Sequence, residues 1–264
     1  MIEARGIHVT FNPGTPLETQ ALRGVDLDLG TGQFLTVIGS NGAGKSTFLN
    51  VLAGTCPVTR GSVRIDGQEV TRWPVHRRAR LISRVFQDPR LGTCDALTVI
   101  ENFALAWGRT RPRGLRHATT RAMREAAAEK LRPLGLGLED RLDDKVGLLS
   151  GGQRQAVSLL MATTGETRVL LLDEHTAALD PRTGAFVLDL TRQVVAELGL
   201  TAVMVTHSMA QAIETGDRLI MFHRGQIIFD VAGVEHRALS VPDLLALFRR
   251  TQGEELADDA LLLS

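Results

Sequence analysis

The chain has 264 residues, 44% of them hydrophobic and 26 of them glycine, enough for one substantial core arranged as a single domain with a subdomain. Its 30 basic and 30 acidic residues cancel to a formal net charge of zero, so no overall basic field points to a nucleic-acid partner. No apolar stretch reaches the roughly 20 residues that cross a bilayer. The N-terminus does not read as a signal peptide, and Cys56 and Cys94 form no CxxC, which suits a reduced cytosolic protein with at most a peripheral membrane role.

Alternation at Ile7, Val9 and Phe11, then at Leu22, Val25, Leu27 and Leu29, predicts short antiparallel strands separated by a Pro- and Gly-containing loop over 12–19. Residues 34–38 read as a buried strand and 46–53 as a helix. Between them lies Gly39, Ser40, Asn41, Gly42, Ala43, Gly44, Lys45, Ser46 and Thr47: glycine, four residues, glycine, lysine and a hydroxyl residue. Between a strand and a helix this pattern turns successive backbone amides into one concavity that holds phosphate. Lys45 places its ammonium against the β and γ phosphates, Ser46 puts its hydroxyl on magnesium, and Gly42 and Gly44 permit close backbone approach. The chain has only two other lysines, Lys130 and Lys145, which makes a lysine in this loop informative.

Further strands are predicted at 62–65 and 69–70, turning at Asp66-Gly67, with another at 81–86. From 95 to 164 the composition changes to Ala, Leu, Arg and Glu with helical spacing over 99–107 and 118–134, which predicts an inserted helical subdomain. Gly108–Arg132 carries eight basic residues, a solvated helix face or a contact for anionic lipid or an acidic partner loop. The apolar runs 169–172 and 201–205 suit buried parallel strands. One ends in Asp173-Glu174, a pair placed to serve magnesium and water respectively; the other ends in Thr206-His207. Helices over 182–198 and 209–214 alternate with them. Strands over 218–223 and 226–229 precede an amphipathic helix near 241–250 and an acidic tail.

Taken together and in order, these segments resemble an ATP-binding cassette (ABC) ATPase, the nucleotide-binding subunit of a transporter, over nearly the whole chain. Gly39 to Thr47 matches the Walker A loop, Gln87 the Q-loop, Leu149-Ser150-Gly151-Gly152-Gln153 the signature, and Val169 to Asp173 the Walker B strand. Glu174 matches the catalytic glutamate, Ala178-Leu179-Asp180 the D-loop and His207 the switch histidine. The resemblance implies an α/β P-loop NTPase fold: an ABC core with a mixed sheet, an N-terminal antiparallel β subdomain and an inserted α-helical subdomain. It implies one nucleotide-binding domain over 1–264, with the helical part at 95–164 and a short C-terminal extension at 231–264. Phe11 stands where the family stacks an aromatic ring on adenine, or is a plain core residue.

The same resemblance implies ATP and Mg2+ as cofactors, with magnesium held by Ser46, Gln87 and Asp173. Glu174, His207, Lys45 and Gln87 are the catalytic set, so Glu174→Gln traps an ATP-bound dimer and Lys45→Ala weakens nucleotide binding. Ser150 caps a helix beginning near Gln153, while Gly151 and Gly152 expose amides at its positive end, an anion site that closes over the γ phosphate of a second copy. Further partners are membrane permease subunits and an extracytoplasmic binding protein, with no nucleic acid, and the location is the cytoplasmic side of the membrane. The segments around Phe11 and around Glu174 to Pro181 are similar to importers of tryptophan or tyrosine; an exporter or lipoprotein-release ATPase is the alternative. His175 departs from the family, which commonly has proline there: a subfamily marker or a neutral surface residue, in either case assigned no chemistry.

Overall fold

The computed structural model describes residues 1–109 and 119–252, with side chains through 249. In chain order, β1 (Ile2–Phe11), β2 (Thr19–Leu29) and β3 (Phe34–Gly39) lead into α1 (Lys45–Ala53), β4 (Arg60–Ile65), β5 (Gln68–Glu69) and a single-turn α2 (Val75–Arg78). Then come β6 (Ile82–Val85), α3 (Val99–Trp107), α4 (Arg121–Leu131), α5 (Gly151–Ala162), β7 (Val169–Asp173) and α6 (Pro181–Leu198). β8 (Thr201–Val205), α7 (Met209–Thr215), β9 (Arg218–His223), β10 (Gln226–Ala232), α8 (Gly233–Ala238) and α9 (Val241–Gln252) complete it. The chain divides into two compact units: Met1–Arg78 with the chain from Gly199 onward, and Ala79–Leu198.

The first unit carries an antiparallel sheet in the order β2-β1-β4-β5, with Ala4 opposite Leu27 and Val63. Asp66 and Gly67 both take positive φ, 53° and 74°, as a two-residue hairpin turn of right-handed strands requires. β3 runs parallel to both β8 and β9, and β10 pairs antiparallel with β9. β3 and β8, buried along their whole length, are apolar but for Thr36 and Thr201, as expected of strands covered on both faces. Leu244 and Phe248 of α9 pack with Met209 and Ala212 of α7 against Leu219, Met221 and Val231. Neither α2 nor α8 stands out in the sequence. α2 ends in Arg78, which is buried and donates to the carbonyls of Val51 (2.6 Å) and Leu52 (2.9 Å). A guanidinium thus closes the negative end of α1.

In the second unit β6 and β7 pair in parallel, Val85 beside Leu172. α3 starts in a reciprocal cap between Thr98 and Glu101. α4 is shorter than its periodicity over 118–134 suggests: Thr120 caps its start, and Pro133, which offers no amide hydrogen, follows its end. Part of the basic stretch, including Arg111 and Arg113, lies outside the described residues, as does the acidic tail.

Candidate nucleotide site

In the first unit the loop between β3 and α1 is shaped by three glycines: Gly39, Gly42 and Gly44 have φ of 143°, 74° and 106°. A Cβ on Gly39 would fall 2.3 Å from the Phe222 carbonyl oxygen, and one on Gly44 would fall 2.7 Å from that of Ala21. The loop is therefore held both by backbone conformation and by close approach of neighbouring strands. No side chain caps the start of α1, so its first turn presents backbone amides and the positive end of the helix dipole to whatever lies in the loop. Lys45, 5% exposed, reaches back along the loop and donates to the carbonyls of Gly39 (2.6 Å) and Ser40 (3.0 Å). Ser46 is exposed. Beneath the loop, Phe48 of α1 packs on Phe222 with ring centroids 5.5 Å apart.

His207 belongs to the same unit. It follows β8, whose Val205 lies beside Val37 of the parallel β3, so the histidine and the phosphate loop leave the same end of one strand pair. The amide of Thr206 donates to the Val37 carbonyl (3.2 Å) and ties the two exits together. Phe11, at the end of β1, is 43% exposed. That excludes a plain core role and leaves an aromatic face open for stacking.

In the second unit the parallel pair β6 and β7 brings Gln87, just beyond β6, and Asp173-Glu174 to a common end. Asp173 is mostly buried and paired with Arg84 of β6, a partner that sequence reasoning missed. The signal was an arginine in a strand that begins and ends in Ile82 and Val85, where a charge needs a counter-ion. Glu174 adopts φ of 47°, a left-handed conformation that costs a side-chain-bearing residue about 1–2 kcal/mol. The chain then turns tightly, the Ala177 amide donating to the Glu174 carbonyl (2.9 Å).

The structure corrects the surface reading of His175. It is 1% exposed, its Nε2 lies 2.9 Å from the Thr191 hydroxyl of α6, and burial pushes its imidazole down to about 4. At neutral pH it is an uncharged ring inside the protein.

The signature segment opens α5. The helix begins at Gly151, two residues before the expected start, with Ser150 as its cap. The Ser150 hydroxyl accepts from the Gln153 amide (3.2 Å), and the Gln153 side chain accepts from the Ser150 amide (3.1 Å). Gly151 is exposed, whereas Gly152, expected to be open as well, is buried against Thr183 of α6; a Cβ there would fall 2.1 Å from the threonine methyl. Close packing of α5 on α6 takes that side of the glycine pair. Asp180 caps the start of α6, and hydrogen bonds from Thr183 hold its carboxyl below the usual range. A cavity of about 300 Å³ in this unit is lined by Arg84, Leu91, Cys94, Leu105, Arg109 and Met161 among others, and Leu91 and Leu105 are largely exposed.

Residues 22–177, more than half the chain, match the ABC transporter family model. The chain belongs to the ABC transporter ATPases. As such it binds ATP and hydrolyses it. The cassette is 41% identical to a tyrosine transport ATP-binding protein of Clostridioides difficile over 94% of its own length and 98% of that protein's. It is 36% identical to a lipoprotein-releasing system ATP-binding protein of Caulobacter vibrioides, over 84% of its length and 92% of the relative's. Among solved structures, a dimeric ATP-binding cassette in a post-hydrolysis state with ADP and phosphate superimposes with a TM-score of 0.75 at 29% identity, covering 88% of this chain and 98% of that one. No helix of the cassette among the described residues is long and apolar enough to cross a membrane.

Proposed function

We propose that this cassette drives import of amino acids or related small solutes through separate membrane permease subunits, fed by an extracytoplasmic binding protein, and that it works at the cytoplasmic face of the membrane. The end-to-end 41% match to the tyrosine transport protein carries this reading. The partly apolar cavity bordered by Leu91 and Leu105 supports it, since it offers a footing for a permease helix. Two copies act together, the signature segment Ser150, Gly151, Gly152 and Gln153 of one closing over ATP held by the phosphate loop of the other.

In this reading Phe11 stacks on adenine, and the loop from Gly39 to Thr47 wraps the phosphates. Lys45 gives up its loop carbonyls for the phosphate oxygens and neutralises charge there. The Ser46 hydroxyl, the Gln87 amide oxygen and the Asp173 carboxylate are hard oxygen donors that suit Mg2+. Magnesium, when bound, supplies a divalent charge to the phosphate oxygens. Glu174 orients the attacking water and accepts its proton, His207 contacts the γ phosphate, and Asp180 adjoins the second copy.

The match to the lipoprotein-releasing protein supports a second reading, release or export from the membrane. A pull-down of the tagged Glu174→Gln chain with ATP from native membranes, followed by mass spectrometry, separates the two. A permease with an amino-acid binding protein is the expected catch. A permease of lipoprotein-release type instead would replace import by the second reading, and nucleic-acid-processing partners without a membrane protein would overturn both.

A further inference from the structure

Glu174 holds a left-handed backbone, φ 47°, with no glycine to make it easy, so neighbouring contacts have to maintain it. The residue that follows is buried and points into α6. The Thr191 hydroxyl has one hydrogen, and it donates that to the Val187 carbonyl (2.8 Å). Toward His175 Nε2, 2.9 Å away, the same oxygen is therefore an acceptor. This fixes the tautomer: the proton sits on Nε2, and a chain of two hydrogen bonds runs from the imidazole through Thr191 into the backbone of α6.

α6 is a fixed reference for this chain. Its start is capped by Asp180, and Thr183 locks it on Gly152 at the beginning of the signature helix. We infer that His175 is a positioning residue: anchored to Thr191, it pins the turn after β7 to α6 and so aims the Glu174 carboxylate. The geometry assigns a role to a position where the family commonly has proline. Proline restricts its own φ and the conformation of the residue before it; here a side-chain anchor supplies the restraint. The inference rests on the reading of Glu174 as the residue that orients and deprotonates water.

The test is steady-state ATP hydrolysis by the purified full chain with ATP and magnesium, comparing Thr191→Val, Thr191→Ser and His175→Gln. Valine keeps the shape of threonine without the acceptor, serine keeps the hydroxyl, and glutamine places an amide N–H near the position of Nε2. Thr191→Val is expected to lower kcat about tenfold with KM for ATP within about twofold of the wild type, because misaimed catalytic groups lose rate rather than binding. Thr191→Ser and His175→Gln are expected to retain most of kcat. In a Glu174→Gln background Thr191→Val is expected to have no further effect on the residual rate, since it acts through a carboxylate already removed.

A folded Thr191→Val protein with wild-type kcat overturns the inference, as does an equal loss in the Glu174→Gln background, which marks a general structural defect. If Thr191→Val does not fold, Thr191→Ala, which also removes the hydroxyl acceptor, is judged by the same criteria. Failure of the underlying reading shows separately: Glu174→Gln alone would then keep more than half of the wild-type rate.

Discussion

The phosphate loop and the acidic turn both depart from ordinary backbone conformations, and they do so by different means. Gly39, Gly42 and Gly44 reach positive φ without a Cβ to resist it, and two of the three also admit neighbouring backbone at distances no side chain tolerates. Glu174 reaches positive φ with a side chain attached and depends on distant residues: Arg84 holds the aspartate before it, and Thr191 holds the histidine after it. The loop needs its backbone, because amides grip phosphate, and glycine serves it. On the proposed function the turn needs a carboxylate, which glycine lacks, and the strain is retained and braced from outside.

Substitutions that exchange the two solutions test this contrast. The largest effect belongs to Glu174→Gln, expected to reduce ATP turnover by about 10²- to 10⁴-fold, the usual loss on removing a general base, with an unchanged unfolding midpoint. A variant of ordinary activity would mean that the braced turn serves the fold alone. Gly44→Ala comes next: a strained φ of 106° and a contact 2.7 Å from the Ala21 carbonyl are expected to destabilise the chain by about 2–4 kcal/mol in denaturant titration. A loss below about 0.5 kcal/mol would show a loop able to relax around a side chain.

The converse substitution at the acidic turn should move stability the other way. Glu174→Gly removes the cost of the left-handed conformation and is expected to raise stability by about 1 kcal/mol, with hydrolysis lost. A marked decrease in stability would mean that contacts of the glutamate side chain outweigh its backbone strain. The smallest effect is at Phe11, where exposure leaves little packing to lose: Phe11→Ala is expected to weaken ATP binding about fivefold in calorimetry, as for one lost stacking contact, and to leave the unfolding curve in place. A large drop in stability would return Phe11 to a structural role.

Most strands and the longer helices were legible in the chain because their apolar spacing is local: the largely apolar runs of β3, β7 and β8, and the helical period that sets α3 at Val99–Trp107. The short α2 and α8 were not, since four to six residues carry too little periodicity. The Ser150 cap was readable because a serine and a glutamine three residues apart form a local motif. The burial of Gly152 was not, because Thr183 lies on the next long helix and meets it only through helix packing.

The sequence by itself determined the phosphate loop and the acidic strand end, because each rests on neighbouring residues whose chemistry is fixed by their spacing, and the order of such local motifs along the chain determined the family. Tertiary structure alone decided that Arg84 pairs with Asp173, that Arg78 closes α1 and that His175 is an internal anchor. Those pairings join residues far apart in the chain, and the cost of burying a charge or a polar group selects a partner only after folding has brought the candidates together.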